Sequence, residues 1–172
     1  KTQRDILPAI LDNLQNLPID LKQHFEVKHY HGLDGLKQML WNHLSAKKEI
    51  IGFSYKNKND MVGKPFAEQI REEQVERKIM LYEVENETDQ GNLWYTNVTG
   101  WNKYYNSRYI SPEILVIKQY IAVYNNTVSI ANWVGKVLVG VEIENAIFTE
   151  TQRQIFWQLW KIADSAKTKK KK

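Results

Sequence analysis

Residues 25–54 read FEVKHYHGLDGLKQMLWNHLSAKKEIIGFS, and their hydrophobic period changes twice. Phe25, Val27 and His29 alternate with Glu26 and Lys28, the two-residue period of a short strand. Leu33, Leu36, Leu40 and Leu44 then recur at helical spacing, with Asp34 as the expected N-cap. Glu49 to Ser54 returns to an apolar, β-branched run and reads as a second strand. Strand, helix, strand in this order is the unit from which mixed and parallel α/β sheets are built.

Downstream, a polar loop from Tyr55 to Asp60 leads into a helix carrying Val62, Phe66 and Ile70, with Pro65 near its start. Lys78 to Glu83 is a third strand, and the repeat favours parallel strands joined by right-handed crossovers. From Val84 to about Tyr109 the pattern dissolves into a polar stretch dotted with aromatic residues. A loop of that length inside a domain is uncommon and often functional. Three strands are expected next, at Ile114–Tyr124, Thr127–Trp133 and Lys136–Ile143. Asn125-Asn126 suits the tight turn between the first two, because Asn tolerates positive φ. Thr149 and Gln152 form a capping box for a last helix, with Ile155, Phe156, Leu159, Trp160 and Ala163 on its core face.

Upstream, Ile6, Ile10, Leu11 and Leu14 share one face of a helix over about Asp5–Asn16, ended by Leu17-Pro18. Pro8 is tolerated there because it falls in the first turn. The reading is therefore one α/β domain over 19–165, a linker or dimerisation helix over 1–18, and a disordered lysine-rich tail over 166–172.

Composition narrows the function. A chain of 172 residues with 42% hydrophobic content can bury a core of its own. The net charge of +4 misleads, because Lys167 and Lys169 to Lys172 supply five positive charges and their removal leaves −1. A near-neutral body lacks the clustered cations that grip a nucleic-acid backbone. There is no cysteine, which excludes disulfides and thiolate chemistry. No apolar run reaches the roughly 20 residues of a membrane span, and the expected setting is cytoplasmic. Three Asn-x-Ser/Thr sequons, at Asn86, Asn97 and Asn125, are read as chance matches.

No catalytic set emerges. His29 and His31 share a strand face but have no second ligand cluster beside them. Ser54 and Ser129 lack a nucleophile elbow, and Gly32 with Gly35 does not make a phosphate loop. Glu142 and Glu144 are two apart and share a face, where solvated carboxylates are the commoner outcome.

Several ordered blocks nevertheless match a known pattern. They are Leu7–Leu11, Lys28–Lys37 and Glu49–Phe53, then Arg108–Ile110 with Ile121–Ile130, and last Gly140–Asn145 followed by Glu150–Arg153 and Phe156–Trp160. Together they resemble the C-terminal domain of TrmB-type transcription regulators. That resemblance implies a phospholipase-D-like fold, a mixed sheet flanked by helices, used to sense a small molecule that is sugar-like or anionic. It further implies a homodimer, DNA contact only through a winged helix-turn-helix domain absent from this chain, and no cofactor, metal or membrane partner.

Catalytic members of that fold carry His-x-Lys-x4-Asp, the His attacking phosphorus. Here the residues two after each histidine are Glu26, His31, Leu33 and Ser45, and the corresponding strand reads Val116-Ile117-Lys118 with Val123 in the Asp position. The resemblance therefore points to binding rather than hydrolysis. The expected ligand cleft is lined by Arg108, Tyr109, Lys118, Asn132 and Glu142, with Trp94 and Trp101 as a lid. A divergent phosphodiesterase or nuclease and a pure dimerisation module are the alternatives.

Overall fold

The computed structural model describes residues 25–86, 95–135 and 137–165. Trp94, the segment 1–18 and the tail 166–172 lie outside them. Among the described residues eight strands form one mixed sheet: β1 (Glu26–His31), β2 (Glu49–Ser54), β3 (Met80–Glu85), β4 (Tyr105–Tyr109), β5 (Tyr120–Tyr124), β6 (Thr127–Val134), β7 (Val137–Glu144) and β8 (Asp164–Ser165). Their spatial order is β1-β7-β6-β5-β2-β3-β4-β8. β2, β3 and β4 are parallel neighbours, while β5, β6 and β7 form an antiparallel meander inserted between β2 and β1. The described helices are α1 (Gly32–Asn42), α2 (Lys58–Val62), α3 (Lys64–Glu76), α4 (Trp101–Tyr104) and α5 (Ala146–Ile162), with a 3-10 turn at His43–Ser45.

The sheet separates two cores. On one face Ile50, Leu81, Tyr120, Ala122 and Tyr124 pack under α1, α2, α3 and α4. On the other, Ile51, Val84, Val123 and Val128 pack under Phe156 of α5. This alternation is the two-residue period seen in the sequence. Gly52, in the middle of β2, is required by close approach: a Cβ there would meet the Ile121 carbonyl oxygen at 2.1 Å.

Several boundaries differ from the sequence reading. His31, not Asp34, is the N-cap of α1, and Asp34 is in its first turn. Gly63, at φ 82°, breaks the expected single helix into α2 and α3. Asn145 caps α5 by accepting from the Phe148 amide, so Thr149 is buried inside the helix and is not its cap. Within the expected loop, Tyr105–Tyr109 pairs with β3 as a strand.

The expected strand at Ile114 starts only at Tyr120, for a definite reason. The Asn86 side chain takes the ladder's place: Oδ1 accepts from the Ile117 amide at 2.7 Å, and Nδ2 donates to the carbonyls of Leu115 and Ile110 at 2.7 and 2.9 Å. Backbone groups satisfied by a side chain need no neighbouring strand. Asn125 does adopt positive φ, 46°, in the expected β5–β6 turn.

Candidate functional site

The predicted cleft residues do not converge. Arg108 faces α5, where its Nη1 donates to the Trp160 carbonyl at 2.7 Å and its guanidinium lies 4.7 Å from the Trp160 ring centre. Trp101 is buried and stacks on Tyr105 at 5.3 Å, so it forms core, not lid. Lys118 is exposed in the coil before β5, and Tyr109 ends β4 half-buried beside Asp164. Asn132 is exposed on the α5 face, its Oδ1 accepting from the Trp133 amide. Glu142 faces the other way, and five strand spacings separate β7 from β4, about 24 Å.

These contacts reverse the role expected of Arg108. Arg108→Ala should lower stability by about 1–3 kcal/mol, through loss of the charged hydrogen bond and the stacking on Trp160. Urea unfolding of the variant measures this; an unchanged midpoint would leave the contact without energetic weight.

Glu142, by contrast, is at the centre of a built arrangement. β7 is an interior strand and not an edge, so the carboxylate is only 4% exposed and not solvated as the sequence had implied. Oε1 accepts from Tyr124 Oη at 2.7 Å and from Ser129 Oγ at 3.0 Å. Oε2 accepts from Tyr30 Oη and, at 3.0 Å, from Asn42 Nδ2. Strand register brings these groups together: Ser129 and Lys28 flank Glu142 on the neighbouring strands, while Tyr30 and Tyr124 share its face of the sheet. Asn42 arrives from the last turn of α1.

Burial by itself would raise the Glu142 pKa, but the hydrogen bonds from Tyr30, Tyr124 and Asn42 outweigh it and hold the carboxyl below its ordinary value. Burial raises both tyrosines, and the adjacent carboxylate raises them further. The result is a buried anion whose four hydrogen-bonding partners are all neutral.

Behind it, His43 Nε2 is 3.0 Å from Ser129 Oγ, and its ring is fully enclosed by Tyr120 and Tyr124. Burial lowers its pKa to about 3, with Glu142 opposing and Lys58 assisting. His–Ser–carboxylate contacts can activate a nucleophile, yet Ser129 is wholly buried and cannot reach a substrate.

The depressed His43 pKa has a signed consequence. The unfolded state takes up the proton first, so stability is full above about 6.5 and falls as pH drops towards about 3. Each unit in that window should remove up to about 1.4 kcal/mol. Urea titrations at pH 7 and at about pH 5 check this, with His43→Gln expected to flatten the dependence.

An open cavity of about 560 Å³ adjoins this network at the amino ends of β1, β2 and β6. Glu142, Tyr124 and Asn42 form part of its wall, joined by Trp41, Lys47 and Arg77. Three carboxylates (Glu26, Glu142, Glu144) and three cations (Lys28, Lys47, Arg77) therefore border one space with two aromatic faces. Among the described residues no group of three or more His, Asp or Glu side chains has the arrangement to hold a metal ion. Nor, among them, is any helix long and apolar enough to cross a membrane.

Tyr30, Asn42 and Tyr124 were not singled out from the sequence, and Ser129 was weighed only as a nucleophile. The available signal was parity: Tyr120, Ala122 and Tyr124 fall on one face of β5, and Glu142 falls on the same face two strands away.

No protein-family profile matches the sequence, and neither does any curated protein sequence. Solved structures do match. The archaeal chromatin protein TrmBL2 superposes with a TM-score of 0.57 at 13% identity, over 94% of this chain and 60% of that one. NucT from Helicobacter pylori gives 0.57 at 11% identity, over 83% of this chain and 99% of the other. The phospholipase D family member Nuc from Salmonella typhimurium gives 0.55 at 14% identity, over 83% and 98%. The fold is phospholipase-D-like. It is shared by a chromatin protein that binds DNA and by a phospholipase D family member, and the chain spans less than two thirds of TrmBL2.

Proposed function

We propose that this phospholipase-D-like domain is the effector-sensing part of a TrmB-type transcription regulator, and that its effector binds in the cavity beside Glu142. The observation that carries the proposal is the buried, fully hydrogen-bonded Glu142 carboxyl at the wall of an open, aromatic-faced cavity. Buried polar networks of this kind hold their members in fixed orientation, which is what a recognition surface needs. Carboxylates, amides and cations alternating around Trp41 and Tyr124 suit a small polyhydroxylated molecule: hydroxyls donate to and accept from the polar rim while a ring packs on the aromatic faces. The absence of a His-x-Lys pair leaves the fold's usual nucleophile missing, and this favours binding over phosphodiester hydrolysis. DNA contact is assigned to a winged helix-turn-helix part outside these residues. Regulation then requires the effector to prefer one conformation of the regulator over another.

Thermal-shift measurements against neutral sugars, sugar phosphates and nucleotides test the reading. A ligand at about 100 times its Kd should stabilise the fold by about 2.7 kcal/mol. Trp41→Ala should weaken that ligand about tenfold. A hit whose affinity is untouched by Trp41→Ala would remove the cavity assignment, and a panel without any hit would count against sensing itself.

A further inference from the structure

Local ion pairs offset three of the six charges that border the cavity. Lys28 Nζ lies 3.5 Å from Glu26 on the same strand. Arg77 is held outside the cavity wall by Glu73 at 2.7 Å and by the Leu44 carbonyl at 3.2 Å. Glu142, Glu144 and Lys47 have no ion pair among the described residues.

These three are sorted by sign across the cavity. Glu142 and Glu144 are two apart on β7 and share one face of the sheet. The hydrogen-bond partners of Glu142 are all neutral, and exposed Glu144 lies directly opposite Glu26 in the β1–β7 register. Like charges opposed across a ladder repel, so this rim favours a cation. Lys47 stands at the far rim, just before β2. Its amide donates to Asn125 Oδ1 at 3.0 Å, while Asn125 Nδ2 donates to the Ser45 carbonyl at 3.0 Å, which ties Lys47 to the β5–β6 turn. Three strand spacings, about 14 Å, separate β7 from β2, and side chains border the gap from both sides.

Resting on the reading of this cavity as the effector site, we propose that the effector is an amino sugar that also carries an anionic group such as phosphate. Its ammonium group bonds to Glu144, while Glu142, whose oxygens are already engaged, adds its field. Its anionic group meets Lys47, and its hydroxyls exchange hydrogen bonds with Asn125 and Asn126 on the rim between them. A neutral sugar leaves both rims unmatched, and a sugar with a single charge leaves one.

Isothermal titration of the full chain with glucosamine 6-phosphate, glucose 6-phosphate, glucosamine and glucose tests both charges separately. Glucosamine 6-phosphate should bind at least about tenfold more tightly than each of the other three. Glu144→Gln should weaken it about threefold without weakening glucose 6-phosphate, and Lys47→Met should weaken it about threefold without weakening glucosamine. If any of the other three bound as tightly as glucosamine 6-phosphate, the double charge would be overturned while the cavity remained an effector site. Equal weakening of all four ligands by either variant would also overturn it, because charge matching acts only on the group it faces. Binding of none of the four would overturn it too, and a different ligand whose affinity falls with Trp41→Ala would then preserve the sensing reading alone.

Discussion

Lys58→Met is expected to lower the unfolding free energy by about 3–5 kcal/mol, the usual cost of stranding one member of a buried ion pair. Lys58 Nζ lies 2.7 Å from Glu83 Oε1, and the two side chains are 9% and 6% exposed. The ammonium also lies 5.6 Å from the Tyr120 ring centre, so its environment is otherwise aromatic and dry. Without Lys58 the Glu83 carboxylate must either stay charged without its partner or take up a proton, and either costs stability. The double variant Lys58→Met/Glu83→Leu should recover most of the loss, because a well-packed apolar pair removes both desolvation penalties. Urea unfolding of the two singles and the double measures the coupling. Equal destabilisation in the single and the double would mean that packing, not charge, dominates at this position.

Glu142→Ala is expected to cost about 2–4 kcal/mol, since it leaves the Tyr124, Ser129, Tyr30 and Asn42 donors without their acceptor. The loss stops short of four separate penalties because Asn42 Nδ2 also reaches Tyr30 Oη at 3.0 Å and the cavity admits water. Glu142→Gln should cost less, about 1–2 kcal/mol, because the amide keeps an oxygen for one pair of donors while turning a competing donor on the other. Equilibrium unfolding gives the order. If alanine and glutamine were equally tolerated, the network would be decorative and the cavity would lose its fixed wall. The proposed function adds a second readout, in that both variants should also weaken the effector.

The alternating helices and strands were readable in advance because they are patterned locally, whereas the phospholipase-D-like architecture was implied by the resemblance to TrmB-type regulators. The alternation of Val27 and His29 and the helical recurrence of Leu36 and Leu40 reappear as β1 and α1, and the apolar run at Glu49–Ser54 as β2. The Asn125-Asn126 turn followed from the intrinsic tolerance of Asn for positive φ. Local signals failed where a distant group supplied the partner. Tyr105–Tyr109 carries no strand pattern, because β3 and β8 on either side supply the bonds that make it one. Ile114–Gln119 looks like a strand, yet Asn86 captures its backbone from 31 residues away.

The candidate site divides in the same way. Glu142 was picked from the sequence for its chemistry, but the same reading grouped it with Arg108 and Asn132, which the sheet turns towards the opposite face. The sequence by itself determined the element types around β1, α1 and β2, the lack of a His-x-Lys nucleophile and the lack of thiol chemistry, since each depends only on residue identity and near neighbours. Only the tertiary structure decided which polar groups are buried together. That outcome depends on strand order: placing β5, β6 and β7 between β2 and β1 brings Tyr30, Asn42, Tyr124 and Ser129 onto one carboxylate, across separations of up to 112 residues in the chain.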